Sequence, residues 1–273
     1  MVQLVRRAPR GPDQVQWDPS SGALDPAVLA SADAVVCLSG VGVGDHRWTA
    51  QYKKDIVSSR VDTVGTLATT LAKVVSAGEG PHAFLAASAV GIYGDRGDEL
   101  LDETSAPGTG FLAELCRQWE AAAAPAVKAG IRVTHLRTGL VLSGDGGLLK
   151  QLKPIVQTGV AGRMGSGRQF MPWISILDEL NAIAFLLTAD LDGPVNLTAP
   201  DPARNADFMK TLGTVLRRPT VLPTPAFALK IAKGELGAEA LGSQRAVPAA
   251  LTGAGFQFSH ADLETALRWA LDR

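Results

Sequence analysis

From residue 1 to about residue 200, short apolar runs rich in β-branched residues alternate with longer segments of helical period, which restricts the chain to few folds. The strand candidates are VQLV, DAVVCLS, HAFLAAS, RVTHLRT and GPVNLTA, with VQW as a shorter one. The clearest helical segment is 49–77, where apolar residues recur every three to five positions. Parallel strands buried under helices on both faces follow from this order, so we expect a doubly wound α/β sheet.

Helical period is also present downstream, over 111–129, 147–158 and 176–189. After residue 200 the pattern changes to helices joined by the proline-rich stretch RRPTVLPTP. Asn205 and Ser259 are predicted to cap two of these helices, and 227–241 is predicted to form another. The sequence therefore predicts a Rossmann-like domain over residues 1–199 and a small, mostly helical domain over residues 200–273.

Composition narrows the function classes. Lys plus Arg (26) nearly balances Asp plus Glu (27), so no global field favours nucleic acid or an anionic membrane as a partner. Cys37 and Cys116 belong to no CxxC motif and are predicted to be buried thiols in a reducing cytoplasm. No apolar stretch is long enough to span a bilayer. None of the histidines has metal-ligand spacing, so no metal is predicted: His46, His82, His135 and His260.

The glycine-rich stretch SGVGVGDH is the nearest approach to a dinucleotide-binding turn. Such a turn reads G-x-G-x-x-G after the first strand of the sheet, and none precedes residue 33. Glycines at positions 40, 42 and 44 have the spacing G-x-G-x-G, and Asp45 stands where the third glycine would be. A loop that lines a cleft at the carboxyl end of a strand is the favoured interpretation.

Several motifs resemble, in order and spacing, an atypical extended short-chain dehydrogenase/reductase family. They are DAVVCLSG, RWT with SSR, SAVGIYGD, LRTGLVLSGDGG, GSGRQFMPWIS, LDGPVNLTAPDPARNADF, and GSQRAVP with AGFQF. That family is epimerase-like, of the nucleoside-diphosphate-sugar epimerase SulA type, with a C-terminal domain of unknown function. The resemblance covers essentially residues 1–273.

The resemblance implies that a strand, a glycine turn and a helix, roughly 25 residues, would come before this sequence. QLVRR looks like the family's second strand. A misplaced start codon, a chosen shortening or a gene lesion would each explain this, and the first is favoured because the rest of the chain reads as intact. Such a chain is expected to fold with difficulty and to bind a dinucleotide weakly.

The resemblance implies a cofactor site on the first half of the chain. Arg6 and Arg7 end the second strand, where an arginine accommodates a 2′-phosphate, so NADP is expected, with NAD possible. The alternative is two solvated arginines at the start of a loop. Leu38, Ser39 and Gly40 follow the DAVVC strand and are expected beside the adenosine ribose.

Two further groups are expected near the cofactor. Asp55 and Arg60 lie on the long helix, and their alternative is a surface ion pair. Thr138, Gly139 and Val141 lie at a strand end and are expected to line the nicotinamide pocket; their alternative is ordinary strand-end packing.

The catalytic residues of short-chain dehydrogenases are only partly present in this sequence. Short-chain dehydrogenases use a serine and Tyr-x-x-x-Lys, in which the lysine lowers the tyrosine pKa. Ser88 stands where the family serine would lie, but Phe111 and Leu115 replace the tyrosine and the lysine. Tyr93 is the nearby tyrosine, with either a role as substitute acid or a packing role.

The motif GSGRQFMPWIS resembles the substrate-side loop of the family. Arg168 is the candidate for binding a nucleotide-sugar phosphate, Gln169 is a second candidate, and Trp173 is expected to form an aromatic wall. Ser175 stands where the family often has histidine.

The leading hypothesis is an NADP-dependent oxidoreductase or epimerase-like protein that acts on an unidentified small or nucleotide-linked substrate. The alternatives are a non-catalytic NADP-binding sensor or partner-binding protein, motivated by Phe111 and Leu115, and a truncated inactive product.

Overall fold

The structure is a computed structural model that describes residues 1–78 and 80–272. Within these ranges the strands are β1 (Gln3–Val5), β2 (Gln14–Gln16), β3 (Ala34–Cys37), β4 (Ala83–Ala89), β5 (Leu100–Leu101), β6 (Arg132–Thr138), β7 (Leu140–Leu142), β8 (Phe170–Met171), β9 (Trp173–Ser175), β10 (Gly193–Leu197), β11 (Ala203–Arg204) and β12 (Arg245–Ala246).

The helices are α1 (Ala27–Ala30), α2 (Ala50–Ser76), α3 (Phe111–Ala121), α4 (Ala124–Lys128), α5 (Gly147–Gln157), α6 (Ile176–Thr188), α7 (Asn205–Leu216), α8 (Ala226–Lys233), α9 (Glu235–Glu239), α10 (Ala249–Gly253) and α11 (Leu263–Leu271). Two short 3₁₀ turns cover Pro19–Ser21 and Val90–Tyr93. Among these helices none combines the length and the hydropathy that crossing a membrane requires.

A four-stranded sheet has the order β10-β6-β4-β3, and helices separate its strands along the chain. Strand β3 pairs with β4 in parallel, with Ala34 opposite Ala83 and Cys37 opposite Ala86. The predicted α/β class with parallel strands is confirmed. The predicted strands VQLV and VQW instead pair with each other in parallel, as β1 and β2.

Short strand pairs complete the structure, and the sequence did not predict them. β7 pairs with β9 and β5 with β12, both in parallel, while β8 and β11 are antiparallel. Strands of two or three residues are too short to show an alternating pattern, so periodicity could not reveal them.

The chain divides into two compact units. Unit 1 contains Met1–Ala87 and Arg117–His135, and unit 2 contains Ser88–Cys116 and Leu136–Arg273. The core of unit 1 packs the apolar stripe of α2 against β4 and α3; its members include Val64, Leu67, Leu71, Phe84 and Trp119. The core of unit 2 includes Leu142, Trp173, Phe208 and Leu267.

The domain boundary predicted at residues 199 and 200 stays a prediction. Both cysteines are buried, which confirms their predicted burial.

Two of the predicted helices are interrupted. The segment predicted as one helix over 111–129 forms α3 and α4, and Pro125 lies in the first turn of the second, where its missing N–H costs nothing. The segment predicted over 227–241 is broken at Gly234, whose φ of 62° ends α8 and precedes α9.

The two predicted caps are wrong. Asn205 is the first residue of α7, and its Oδ1 accepts a hydrogen bond from the Met164 amide at 2.7 Å. The cap of α11 is Asp262, which accepts from the Thr265 amide at 2.9 Å. A distant partner explains the first error, because the Asn205 side chain binds Met164 instead of its own helix. The second error is local, because α11 begins at Leu263, after its Asp262 cap.

Two glycines give a matched test of the packing. The amide of Gly108 donates to the Ile92 carbonyl at 2.8 Å, and a Cβ at position 108 would overlap the Tyr93 carbonyl. We expect Gly108→Ala to lower the free energy of unfolding by about 1–3 kcal/mol. Gly65, within α2, has open space around the same position, so Gly65→Ala should raise stability by about 0.5–1 kcal/mol. Urea denaturation measures both, and an unchanged Gly108→Ala midpoint would contradict the described packing.

Candidate functional site

The candidate residues follow or end strands of the sheet, where α/β proteins bind ligands. Residues 38–40 follow β3, Ser88 lies near the end of β4, and Thr138 ends β6. The first group belongs to unit 1, and the other two residues belong to unit 2.

The exposed loop after β3 packs against a buried arginine. Leu38, Ser39 and Gly40 are exposed, whereas only 9% of Arg60 is. The guanidinium of Arg60 donates to the Val41 and the Ile56 carbonyls, each at 3.0 Å. A Cβ at position 40 would lie 2.9 Å from Arg60 Cζ, so glycine permits this close approach. Arg60 therefore shapes the loop from inside.

Further side chains of α2 and the segment before it fix the same loop. The Val41 amide donates to Ser59 Oγ at 3.2 Å, and the hydroxyl of Tyr52 donates to the Gly42 carbonyl. Trp48 Nε1 donates to the Val43 carbonyl at 2.7 Å. Three successive residues of the loop are thus tied to side chains, directly after the exposed residues 38–40.

Asp55 lies farther along α2 and is half-buried. It accepts a hydrogen bond from Gln51 Nε2 at 2.8 Å, one helical turn earlier. Its expected position near a cofactor stays a prediction.

The arginines at the end of β1 are exposed, and one of them is held in place. Arg7 Nη1 donates to Gln14 Oε1 and to the Ala8 carbonyl, each at 3.0 Å. Gln14 in turn donates to Gln3 Oε1 at 3.0 Å. This network joins β1 to β2 and orients one guanidinium at the surface, where Arg6 is exposed as well.

The serine and the tyrosine considered for catalysis are both buried. Only 3% of Ser88 is exposed, and Tyr93 is fully buried. The hydroxyl of Tyr93 donates to Asn196 Oδ1 at 2.8 Å and accepts from Arg137 Nη1 at 3.0 Å. Burial raises the pKa of Tyr93, and Arg137 acts in the opposite direction. These contacts supply a packing role for Tyr93, and its proton-transfer role stays a prediction.

A buried carboxyl group lies beside Thr138, and the sequence analysis did not identify it. Thr138 Oγ1 donates to Glu179 Oε1 at 2.9 Å. Glu179 lies in the first turn of α6 and is 7% exposed. Burial raises its pKa to about 7, although the hydrogen bond from Thr138 lowers it. Within the described part of the chain, Glu179 Oε2 has no hydrogen-bond partner.

The neighbouring acid, Asp178, is fully buried and well satisfied. Its carboxylate accepts from Ser175 Oγ at 2.9 Å and from the amides of Ser259 and His260 at 2.7 and 3.0 Å. Ser175 caps α6, and His260 Nδ1 lies 3.0 Å from Ser175 Oγ. This serine, histidine and aspartate set holds a helix end, because Ser175 is fully buried and its proton is donated to Asp178.

The remaining residues expected beside the nicotinamide have strong backbone constraints. The Gly139 amide donates to the Leu197 carbonyl at 3.0 Å, and a Cβ at position 139 would overlap the Pro172 carbonyl. Val141 is paired with Ile174 between β7 and β9. Strand-end packing explains Gly139 directly, and the pocket assignment of Gly139 and Val141 stays a prediction.

Of the three residues expected on the substrate side, Arg168 is exposed and the other two are buried. Gln169 Nε2 donates to the Met164 carbonyl at 3.0 Å. Trp173 is 1% exposed, and its Nε1 donates to the Asp201 carbonyl at 3.1 Å. Because Gln169 and Trp173 are buried, Arg168 is the member of this group that is exposed to a ligand.

Arg204 supports the loop that carries Arg168, and the sequence analysis missed it. It donates to the Arg168 carbonyl, forms two hydrogen bonds with Asp98 at 3.1 and 3.2 Å, and stacks 4.3 Å from the Phe170 ring. The hydrogen bond with Arg204 lowers the pKa of Asp98, so this surface keeps a paired carboxylate.

Relatives of known sequence decide the family. The chain is 43% identical over 275 residues to epimerase family protein Mb2239 of Mycobacterium bovis, with 100% of this chain and 90% of that protein covered. The chain belongs to the epimerase family. It is also 34% identical to epimerase family protein YfhF of Bacillus subtilis, with 97% of this chain and 88% of that protein covered.

The family assignment extends to both the C-terminal region and the fold. Residues 224–270 match a family described as Domain of unknown function (DUF1731). The human epimerase family protein SDR39U1 (isoform 2), solved with NADPH, is 29% identical with a TM-score of 0.89, and the match covers 99% of this chain and 90% of that one. The resemblance to an epimerase-like family with a C-terminal domain of unknown function is confirmed.

Glu179 makes the stability of the chain depend on pH. Its pKa rises from 4.5 to about 7 on folding, so the folded state binds the proton more tightly than the unfolded state. As the pH rises from 4.5 to about 7, the free energy of unfolding of the native chain should therefore fall by about 3 kcal/mol relative to that of Glu179→Gln. Urea denaturation at a series of pH values measures the difference.

Glu264→Gln is the matched control for this prediction, because Glu264 is an exposed carboxylate on α11 paired with Arg268. Its difference from the native chain should change little over the same pH interval. A difference between the native chain and Glu179→Gln that is constant with pH would contradict the shifted pKa.

Proposed function

We propose that this chain is an NADP-dependent oxidoreductase or epimerase-like protein that acts on a small or nucleotide-linked substrate. The observation that carries the proposal is the likeness to the human family member that was solved with NADPH. The balanced charge of the chain favours a small molecule over nucleic acid or a membrane, and the cysteine usage favours the cytoplasm.

The residues present fit a nicotinamide dinucleotide. The loop of residues 38–40 is exposed after the end of β3, where α/β proteins bind ligands, and the buried Arg60 supports it through the Val41 carbonyl. The guanidinium of Arg7 is exposed and oriented by Gln14. Glu179 Oε2 is buried and lacks a partner among the described residues, as expected of an atom that a ligand or water completes.

Each group of residues then has a distinct role in the proposal. Arg6 and Arg7 bind the 2′-phosphate, and residues 38–40 contact the adenosine, next to the position fixed by Arg60. When bound, the dinucleotide supplies hydride transfer at its nicotinamide ring. Thr138 orients the group that reacts there. Arg168 binds a phosphate of a nucleotide-linked substrate, as an exposed arginine on a loop held by Arg204 can do.

A non-catalytic NADP-binding sensor is the second candidate, and one observation favours it. Phe111 and Leu115 occupy the positions of the proton-transferring pair of short-chain dehydrogenases, and neither carries a titratable group. The hydroxyl of Tyr93, the substitute considered, is buried and bound to two side chains. NADPH binding with no turnover of any nucleotide sugar would support this candidate.

Arg7 gives a direct test of the cofactor. We expect NADPH to bind more tightly than NADH, and we expect Arg7→Asp to abolish or reverse that preference. Losing one charge-assisted hydrogen bond and adding a repulsive charge should weaken NADPH binding about 10- to 100-fold. Isothermal titration calorimetry, taken to millimolar ligand, measures both affinities.

Arg10→Asp is the matched control, since Arg10 is also exposed and lies three residues along the same loop. It should alter the two affinities equally. If NADPH and NADH bind with equal affinity before and after Arg7→Asp, the arginines do not read the cofactor.

A further inference from the structure

The proposed chemistry needs a group that can gain and lose a proton, and the usual group is absent. Phe111 and Leu115 stand in the positions of the family tyrosine and lysine. Glu179 offers an alternative: it is nine-tenths buried, and it contacts the hydroxyl of a residue proposed to line the nicotinamide pocket. Its second oxygen has no partner among the described residues.

The surroundings of Glu179 explain why its carboxyl group can hold a proton. Strand β7 (Leu-Val-Leu) and strand β9 (Trp-Ile-Ser) pack against α6, and neither contains an ionisable side chain. Asp178 uses its oxygens on Ser175, Ser259 and His260. His260 Nδ1 lies 3.0 Å from Ser175 Oγ and 3.9 Å from Asp178 Oδ2, so the nearby imidazole faces this pair. Burial and the Thr138 hydroxyl govern the pKa of Glu179.

We propose that Glu179 exchanges a proton, through the Thr138 hydroxyl, with a ligand alcohol or carbonyl that reacts in this site. The inference rests on the proposed function, which puts Thr138 beside the nicotinamide. Thr138 is the residue that touches the ligand, and Glu179 is a positioning residue that acts through it.

The proton step balances within three groups. As a ligand alcohol is oxidised, its O–H bond breaks and the proton passes to Thr138 Oγ1. The hydroxyl proton of Thr138 passes in turn to Glu179 Oε1, 2.9 Å away. Thr138 ends as a hydroxyl and the carboxylate ends as a neutral acid. The electron pair left on the ligand oxygen forms the carbonyl as hydride leaves for NADP⁺, the oxidant named in the proposed function. Reduction reverses each transfer.

This arrangement predicts that the redox state of the cofactor and the charge of Glu179 are coupled. The oxidised nicotinamide ring is a cation and favours the carboxylate, whereas the reduced ring is neutral. NADP⁺ binding should therefore lower the pKa of Glu179, and the affinity for NADP⁺ relative to NADPH should rise as the pH passes through about 7. A purely structural carboxyl group would show no such dependence on the redox state.

The test is calorimetry of NADP⁺ and NADPH, each taken to millimolar ligand, at pH values on both sides of the Glu179 transition. For the native chain and the Glu264→Gln control, the ratio of the two dissociation constants should change about tenfold, as one unit of pKa coupling requires. For Glu179→Gln it should stay constant. The 2′-phosphate titrates in both cofactors, so the ratio removes its contribution.

A second measurement does not depend on any ligand. The carboxyl C=O infrared band of protonated Glu179, identified by its loss in Glu179→Gln, should disappear as the pH rises through about 7. In the isosteric Thr138→Val the transition should move to higher pH, because the hydrogen bond that lowers the pKa is gone.

The outcomes separate the two proposals. Binding of both cofactors with a ratio that is independent of pH, or one that changes equally in Glu179→Gln, overturns the proton exchange and leaves the proposed function standing. No binding of either cofactor at any pH contradicts the proposed function and the inference that rests on it. A band that does not titrate, or that titrates identically in Thr138→Val, overturns the pairing of Glu179 with Thr138.

Discussion

The buried carboxylate of Asp178 fixes the start of α6, and the arrangement of unit 2 around that helix depends on it. It ties Ser175, at the end of β9, to the backbone of Ser259 and His260 before α11, so two segments distant in sequence meet at one acid. Because Asp178 accepts these hydrogen bonds, the buried Glu179 has a single hydrogen-bond donor among the described residues, the hydroxyl of Thr138. A carboxyl group in that situation holds its proton to an unusually high pH.

Unit 1 uses a cation in a comparable way. Arg60 is taken into the interior, where its guanidinium bonds two carbonyls and lies 5.0 Å from the Trp119 ring. The loop after β3 is shaped around it, with Gly40 leaving room for the guanidinium. Both units therefore position strand-end residues by burying one charged side chain whose partners come from the surrounding chain.

Periodicity predicted the long elements well, because burial of one face over many residues leaves a repeated pattern. The predicted strand RVTHLRT coincides with β6, and the helix predicted over 49–77 is observed as Ala50–Ser76. The site was predicted less completely. Arg60 and Glu179 were missed as interior residues because a charged side chain is exposed by default, and only tertiary partners reveal its burial. The sequence analysis chose three buried residues by residue type and position in a motif: Tyr93, Gln169 and Trp173. Neither criterion shows whether a side chain is buried.

The central claim is that the carboxyl end of β6 receives the nicotinamide of an NADP cofactor, with Thr138 and Glu179 beside it. A crystal structure of the chain soaked in millimolar NADPH tests this most directly. The account predicts electron density for the nicotinamide ring in contact with Thr138, with the Thr138–Glu179 hydrogen bond intact. A dinucleotide bound with its nicotinamide away from Thr138, or no density for it at that concentration, would contradict the account.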